Sequence, residues 1–300
     1  MKLLLFGSNG QLGWELQRSM ATLGLLKACD RNTVDFCDLD GLRKLIRDYK
    51  PDVIVNAAAY TDVDKAESDE ENAFQVNSKA VDLLAQEAKI LDAWLIHYST
   101  DYVFDGAKMG SYIEEDKTNP LSVYGKTKLQ GEEAIKKSKC KYLIFRTSWL
   151  YGTHGKNFFK TIIKLAKERD ELRVVSNQIG APTSAELVAD VTSLCLYRIA
   201  QNSLSSKEIS GIYHLTATGK ASWYDFAKYV ITEAKKSGGV FLTNPENIIA
   251  INASEYVSPV KRPKNSLLDT QKLCKTFNLQ LPVWQIHADR VIRELYLRGT

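Results

Sequence analysis

The 300-residue chain lacks the features that mark several protein classes. Its five cysteines, Cys29, Cys37, Cys140, Cys195 and Cys274, are odd in number and scattered with no close pair. That excludes a disulfide framework and fits a reducing compartment. The four histidines, His97, His154, His214 and His287, show no metal-ligand spacing. Charge of one sign is not in excess. The net charge is +4, and lysine and arginine are spread among acids rather than gathered in the basic stripe that nucleic acid demands. No apolar run approaches the length of a membrane span. The opening "MKLLLFGSNG" is too short in its apolar part for a signal core, and a glycine-rich turn interrupts it. These exclusions lead to the expectation of a soluble, cytoplasmic protein that binds neither nucleic acid nor membrane.

What is present is an alternation. "KLLLF", "LLKACD", "PDVIVNAAA", "AWLIHYST" and "KYLIFRTSW" are short runs that are apolar on both faces, as buried parallel strands require. Between them lie the helical patterns "QLGWELQRSMATLG", "LDGLRKLIRDY" and "EENAFQVNSKAVDLLAQEAKILD". Strand–helix alternation implies an α/β, Rossmann-like doubly wound parallel sheet. After about residue 150 the rhythm becomes irregular, with helical patterns at 156–169, 185–201, 222–236 and 284–298. Short strand-like pieces sit at "LRVVSN", "GIYHLTA" and "NIIAI". The expectation is a nucleotide-binding domain over 1–150. A smaller C-terminal α/β substrate-binding lobe over 151–300 would be interleaved with late sheet strands.

The first strand runs directly into Gly7-Ser8-Asn9-Gly10-Gln11-Leu12-Gly13 and then a helix. In a dinucleotide fold, Gly7 permits the tight turn, Gly10 lets the backbone approach a pyrophosphate, and Gly13 lets the helix pack close to the strand. The helix start offers free N–H groups to the phosphates. The same triplet could serve a plain strand–helix turn, but its position between a strand and a helix is the context that a dinucleotide site requires. The second strand ends at Asp30, placed to take ribose hydroxyls of NADH, beside Arg31, placed to take the 2′-phosphate of NADPH. The two residues pull in opposite directions, so either cofactor is open. Asp38 either lies beside the adenine or caps the following helix. Ala57, Ala58 and Ala59 are small enough for a cofactor to approach, or for helix and sheet to pack closely.

Ligands of open α/β sheets bind beyond the carboxyl ends of strands, which places Ser99, Thr100 and Asp101 at the chemistry. Further on, Tyr124 and Lys128 are four apart and share one helix face, while Lys126 points elsewhere. A free tyrosine titrates at about 10, and a neighbouring ammonium is expected to lower that value. With Thr100 opposite, the three make a proton relay for carbonyl–alcohol interconversion.

The glycine turn, "STDYVFDG", "VYGKTK" and "RTSWLYG" resemble the extended short-chain dehydrogenase/reductase superfamily. Within it, "NPLSVYGKTKLQGE", "LIFRTSWLYG", "NQIGAPTSAELVAD", "GIYHLTATG" and "RPKNSLLDT" resemble the dTDP-4-dehydrorhamnose reductase family nearly end to end. The resemblance implies an NAD(P)H-dependent oxidoreductase acting on a dTDP-sugar. Tyr124 would be the proton donor, Lys128 its electrostatic partner and ribose anchor, and Thr100 the third catalytic member. Gly10, Gln11, Leu12, Asp30, Asp38, Leu39, Ala59, Tyr60 and Thr61 match cofactor-contacting positions. Asp101 and Trp149 would meet the sugar nucleotide, and Arg262 its diphosphate. Some of these reductases pair as homodimers through Mg²⁺, whose carboxylates match Glu15, Glu186 and Asp190; no metal ligand is assigned here. Two other readings stay open. Dehydratases and epimerases of the superfamily share the fold, but dehydratases carry an Asp-Glu pair after the threonine, whereas here Asp101 is followed by Tyr102. Regulatory subunits of methionine adenosyltransferase depart from the family at the positions of Asp101 and Trp149, both of which this chain keeps.

Overall fold

The computed structural model describes residues 1–201 and 206–296. The five apolar runs form β1 (Lys2–Phe6), β2 (Leu25–Cys29), β3 (Val53–Asn56), β4 (Trp94–Thr100) and β5 (Lys141–Thr147). The intervening helices are α1 (Gln11–Met20), α2 (Leu39–Tyr49), α3 (Ala80–Ile90) and α4 (Val123–Ser138). Local chemistry sets their ends. Asp38 accepts from the Gly41 N–H to start α2, and Lys50 turns left-handed before Pro51 to stop it. Ser122 caps α4 in the same way through the Gly125 N–H. The third helical pattern is broken: a helix at Glu70–Phe74 passes through a π turn at Gln75–Lys79 before α3.

The second half supplies α5 (Phe158–Glu168), β6 (Leu172–Val175), α6 (Ala185–Ala200), β7 (Gly211–His214) and α7 (Trp223–Lys236). It continues with β8 (Ile248–Ile251), α8 (Gln271–Phe277) and α9 (Trp284–Tyr296). The pattern read to residue 298 matches α9 as far as it is described; its last two residues lie outside the described residues. The seven-residue α8 is an addition, too short to show a clear amphipathic period.

The central sheet has the order β7-β5-β4-β3-β1-β2, with every pairing parallel. Its sixth strand, β7, comes from the second half of the chain. Side chains alternate between two apolar cores. Leu3, Leu5, Val55, Ile96 and Phe145 pack with α1, α5, α6 and α7, while Leu4, Phe6, Ile54, Leu95 and Ile144 pack with α2 and α3. Among the described residues, three small extra pairings lie apart from the sheet. β6 and β8 run parallel, Leu150–Tyr151 runs parallel with Thr183–Ser184, and Ile179–Gly180 pairs antiparallel with Ala221–Ser222. The strand order reverses between β1 and β3, which opens a crevice at their carboxyl ends.

Candidate active site

The glycine turn fills one end of that crevice. Gly7 has φ +79°, and a Cβ there would sit 2.6 Å from the Ala58 nitrogen beyond β3. A Cβ at Gly13 would lie 2.0 Å from the Gly7 carbonyl oxygen. Only glycine permits this turn and this helix approach. No side chain caps the start of α1 at Gly10, so its first N–H groups stay free for an anion.

A cleft of about 850 Å³ runs from this turn to the ends of β4 and β5. It brings together Gly7, Gly10, Gln11, Leu12, Asp30, Arg31, Ala59, Tyr60, Thr61, Thr100, Asp101, Tyr124, Lys128 and Trp149. The remaining expectations fall elsewhere. Gly13 works in packing. Asp38 is the cap of α2 and, with Leu39, is outside the cleft lining, so the capping alternative describes it. Arg262 lies on a second cavity of about 970 Å³, where its guanidinium makes two contacts to Asp64 at 2.9 and 3.1 Å.

Where the cleft meets the end of β2, the Asp30 carboxylate is committed to its own turn. It accepts from Thr33, from the Asn32 N–H and from the Asn9 carboxamide at 2.7 Å, and these bonds, Thr33 first, hold it below its ordinary value. Arg31 is 85% exposed and pairs with Asp35 at 3.6 Å. In the middle of the cleft, the π turn serves Tyr60. The Asn77 carboxamide accepts from the Tyr60 N–H, donates to its carbonyl, and reaches Thr127 on α4. Nothing in the sequence pattern marked Asn77, because its partners are distant along the chain.

At the chemical end, Tyr124 and Lys128 do share one face of α4. The Tyr124 ring is half-buried. Burial pushes the phenol up, a hydrogen bond with Thr100 pulls it down, and Asp101 and Tyr102 push it up again. The lowering by Lys128 expected from spacing is therefore corrected: burial sets the direction, and the group that pulls the phenol down is Thr100. Lys128 is 2% exposed, and its ammonium donates to the Tyr98 carbonyl at 2.6 Å. Burial pulls it down to about 8 against an opposing pull from Glu132. Asp101 is pushed up to about 6 by burial, against hydrogen bonds from Ser266 and Thr100. Its Oδ2 is buried without a partner. Trp149, at φ +50°, forms the wall; Gly180 lies beneath its indole, where a Cβ would be 2.5 Å from the ring.

The carboxylates matched to Mg²⁺ are held by arginines of the same chain. Arg18 bonds Glu15 at 3.1 Å and Asp190 at 2.8 Å, and Arg290 takes both oxygens of Glu186. Among the described residues, no group of three or more His, Cys, Asp or Glu could hold a metal ion. As arranged within one chain, these residues do not fit the metal.

The chain is similar to known proteins along nearly its whole length. The sequence profile of the RmlD substrate binding domain matches residues 1–297. The dTDP-4-dehydrorhamnose reductase of Escherichia coli K12 is 47% identical over 300 residues, covering 99% of this chain and 98% of its own. A Clostridium acetobutylicum structure of that name has TM-score 0.87 at 36% identity, covering 98% of this chain and 99% of that one. A Bacillus anthracis structure of that name, in complex with NADP, has TM-score 0.87 at 32% identity and the same coverage. The chain belongs to the dTDP-4-dehydrorhamnose reductase family.

Proposed function

We propose that this chain reduces the 4-keto group of dTDP-4-dehydro-6-deoxy-L-mannose (dTDP-4-dehydro-L-rhamnose) to give dTDP-L-rhamnose, drawing on NADPH or NADH. One observation carries the reading. The glycine turn and the Tyr124–Thr100–Lys128 group line one continuous cleft. A bound reduced nicotinamide supplies hydride to the sugar C4. Tyr124 donates its phenolic proton to the oxygen that becomes the alcohol. A phenol raised by burial suits this direction, because it arrives protonated. Thr100 orients the phenol and reaches the same oxygen, and the Lys128 ammonium offsets the charge left on Tyr124.

Two features support use of both cofactors. The hydrogen bonds on Asp30 keep it ionised, so a carboxylate stands at the end of β2 for ribose hydroxyls of NADH, and Arg31 is exposed enough to swing onto the 2′-phosphate of NADPH. The test follows oxidation of NADPH and NADH in parallel with the 4-keto substrate, with and without EDTA. Turnover to dTDP-L-rhamnose is expected. Substrate-independent retention of tightly bound NAD⁺, with no reductase turnover, would instead point to a dehydratase or epimerase.

A further inference from the structure

A histidine behind the site has no part in the reaction as described above. His97 is fully buried in β4. Its register partner in β3 is Asn56, so the two side chains stand side by side on one face of the sheet. The face is the one α4 covers. His97 Nε2 lies 3.3 Å from Lys128 Nζ, and His97 Nδ1 lies 3.1 Å from the Asn56 carboxamide nitrogen.

Hydrogen-bond accounting assigns the protons. The Ala58 N–H can only donate, and it does so to Asn56 Oδ1 at 3.1 Å. That fixes the carboxamide with its NH₂ toward His97 Nδ1, which must accept. A neutral imidazole carries one N–H, so here it is on Nε2. A doubly protonated ring would set Nδ1–H against the carboxamide N–H, and burial already holds His97 well below its ordinary value. The Nε2–H therefore points at Lys128.

We propose that His97, held in the Nε2–H tautomer by Asn56, is a positioning residue for Lys128 that presents an N–H to the amine and makes it release its proton more readily. An N–H facing an ammonium is repulsive, whereas an N–H facing a neutral amine is a hydrogen bond, so the arrangement favours the deprotonated form. The other groups around Lys128 do not supply this. On α4, Glu132 opposes it, but that carboxylate is already taken by Arg146 at 2.6 and 2.9 Å and by Ser99 at 2.5 Å. Tyr124 is a raised, neutral phenol, and Asp101 lies after β4 with Thr100 on its carboxylate. From β3 comes only uncharged Asn56, and on the π turn Lys79 is exposed. A lysine that gives up its proton near neutral pH can take part in recharging Tyr124 between turnovers.

This inference rests on the reductase reading, and the experiment separates the two. In the unaltered protein, long-range ¹H–¹⁵N NMR of the His97 ring reads the tautomer without any turnover. An Nε2–H ring is expected; an Nδ1–H or doubly protonated ring overturns the proposal even if the reductase reading stands. In turnover, His97→Gln keeps an N–H close to the Nε2 position, whereas His97→Leu removes it. The limb of the kcat profile that reports Lys128 should stay near the wild-type position in His97→Gln and move up by about one pH unit in His97→Leu. A limb unmoved in both, or moved equally in both, shows that His97 only fills the core.

Discussion

Trp149 lies flat on Trp223, with ring centroids 3.5 Å apart and planes 9° from parallel. Trp149 follows β5 and lines the cofactor cleft, whereas Trp223 opens α7 and lines the second cavity. The stack is thus the partition between the two spaces. Its first member is also held in a left-handed backbone conformation that a bulky residue adopts at a cost of about 1–3 kcal/mol. Removing the support should release that backbone. Trp223→Ala is expected to raise the KM for the sugar nucleotide on the order of tenfold, with a smaller change in kcat. Steady-state kinetics at saturating cofactor decide this; a kcat loss with unchanged KM would mean that Trp223 serves the chemistry rather than substrate placement.

Tyr124→Phe removes the proton donor and leaves the ring's edge-on contact with Tyr102, at 5.6 Å, in place. Turnover should fall by about 10²–10⁴-fold, while cofactor affinity and thermal stability stay close to the parent. Intact turnover in this variant would sink the assigned mechanism. The contact matters for the control, because alanine at this position would also open a void beside Tyr102.

Arg31→Ala should separate the cofactors. Its guanidinium is the cation beside the second-strand carboxylate, and one charge-assisted hydrogen bond is worth about 1.5–3 kcal/mol. The KM for NADPH should therefore rise about 10- to 100-fold while the KM for NADH stays unchanged. Equal effects on both cofactors would show that Arg31 does not meet a 2′-phosphate.

The parts legible in the sequence were those written in adjacent residues. β1, the glycine turn and α1 follow from an apolar run, three glycines and an amphipathic period, and the Tyr124–Lys128 face follows from helical spacing. What could not be read depends on partners distant in the chain. Asn77 looks like one polar residue in a helix; its π turn and its grip on Tyr60 exist only after the helix meets α4. Trp223 carries no mark of Trp149. His97 and Asn56 sit in strands that read as uniformly apolar, and their pairing needs the parallel register of β3 and β4. The direction of the Tyr124 shift is hidden for the same reason. Spacing reveals a neighbouring charge, but the burial that sets the direction belongs to the folded chain.

Asp101→Asn should trade activity for stability, with a pH signature. Burial raises the Asp101 carboxyl to about 6 in the folded protein, from about 4 in an unfolded chain. The native state therefore binds this proton more tightly than the unfolded state does. Below about pH 4 both states are protonated and burial of the carboxyl carries no charge penalty. As pH rises toward 6, the unfolded chain ionises freely and the native one does so only against desolvation, so stability is lost across that window. Above it, the full difference of roughly two pKa units corresponds to about 3 kcal/mol. The asparagine has no charge to desolvate. At pH 7.5 it should unfold at higher temperature than the parent, by up to that free energy, and the advantage should vanish by about pH 4. Its turnover should fall, since Asp101 lines the cleft and its carboxylate accepts from the Thr100 hydroxyl. Thermal unfolding of both proteins across pH 4 to 8 checks the first part. A stability difference that is constant with pH would mean that packing, not the buried charge, sets the cost at this position.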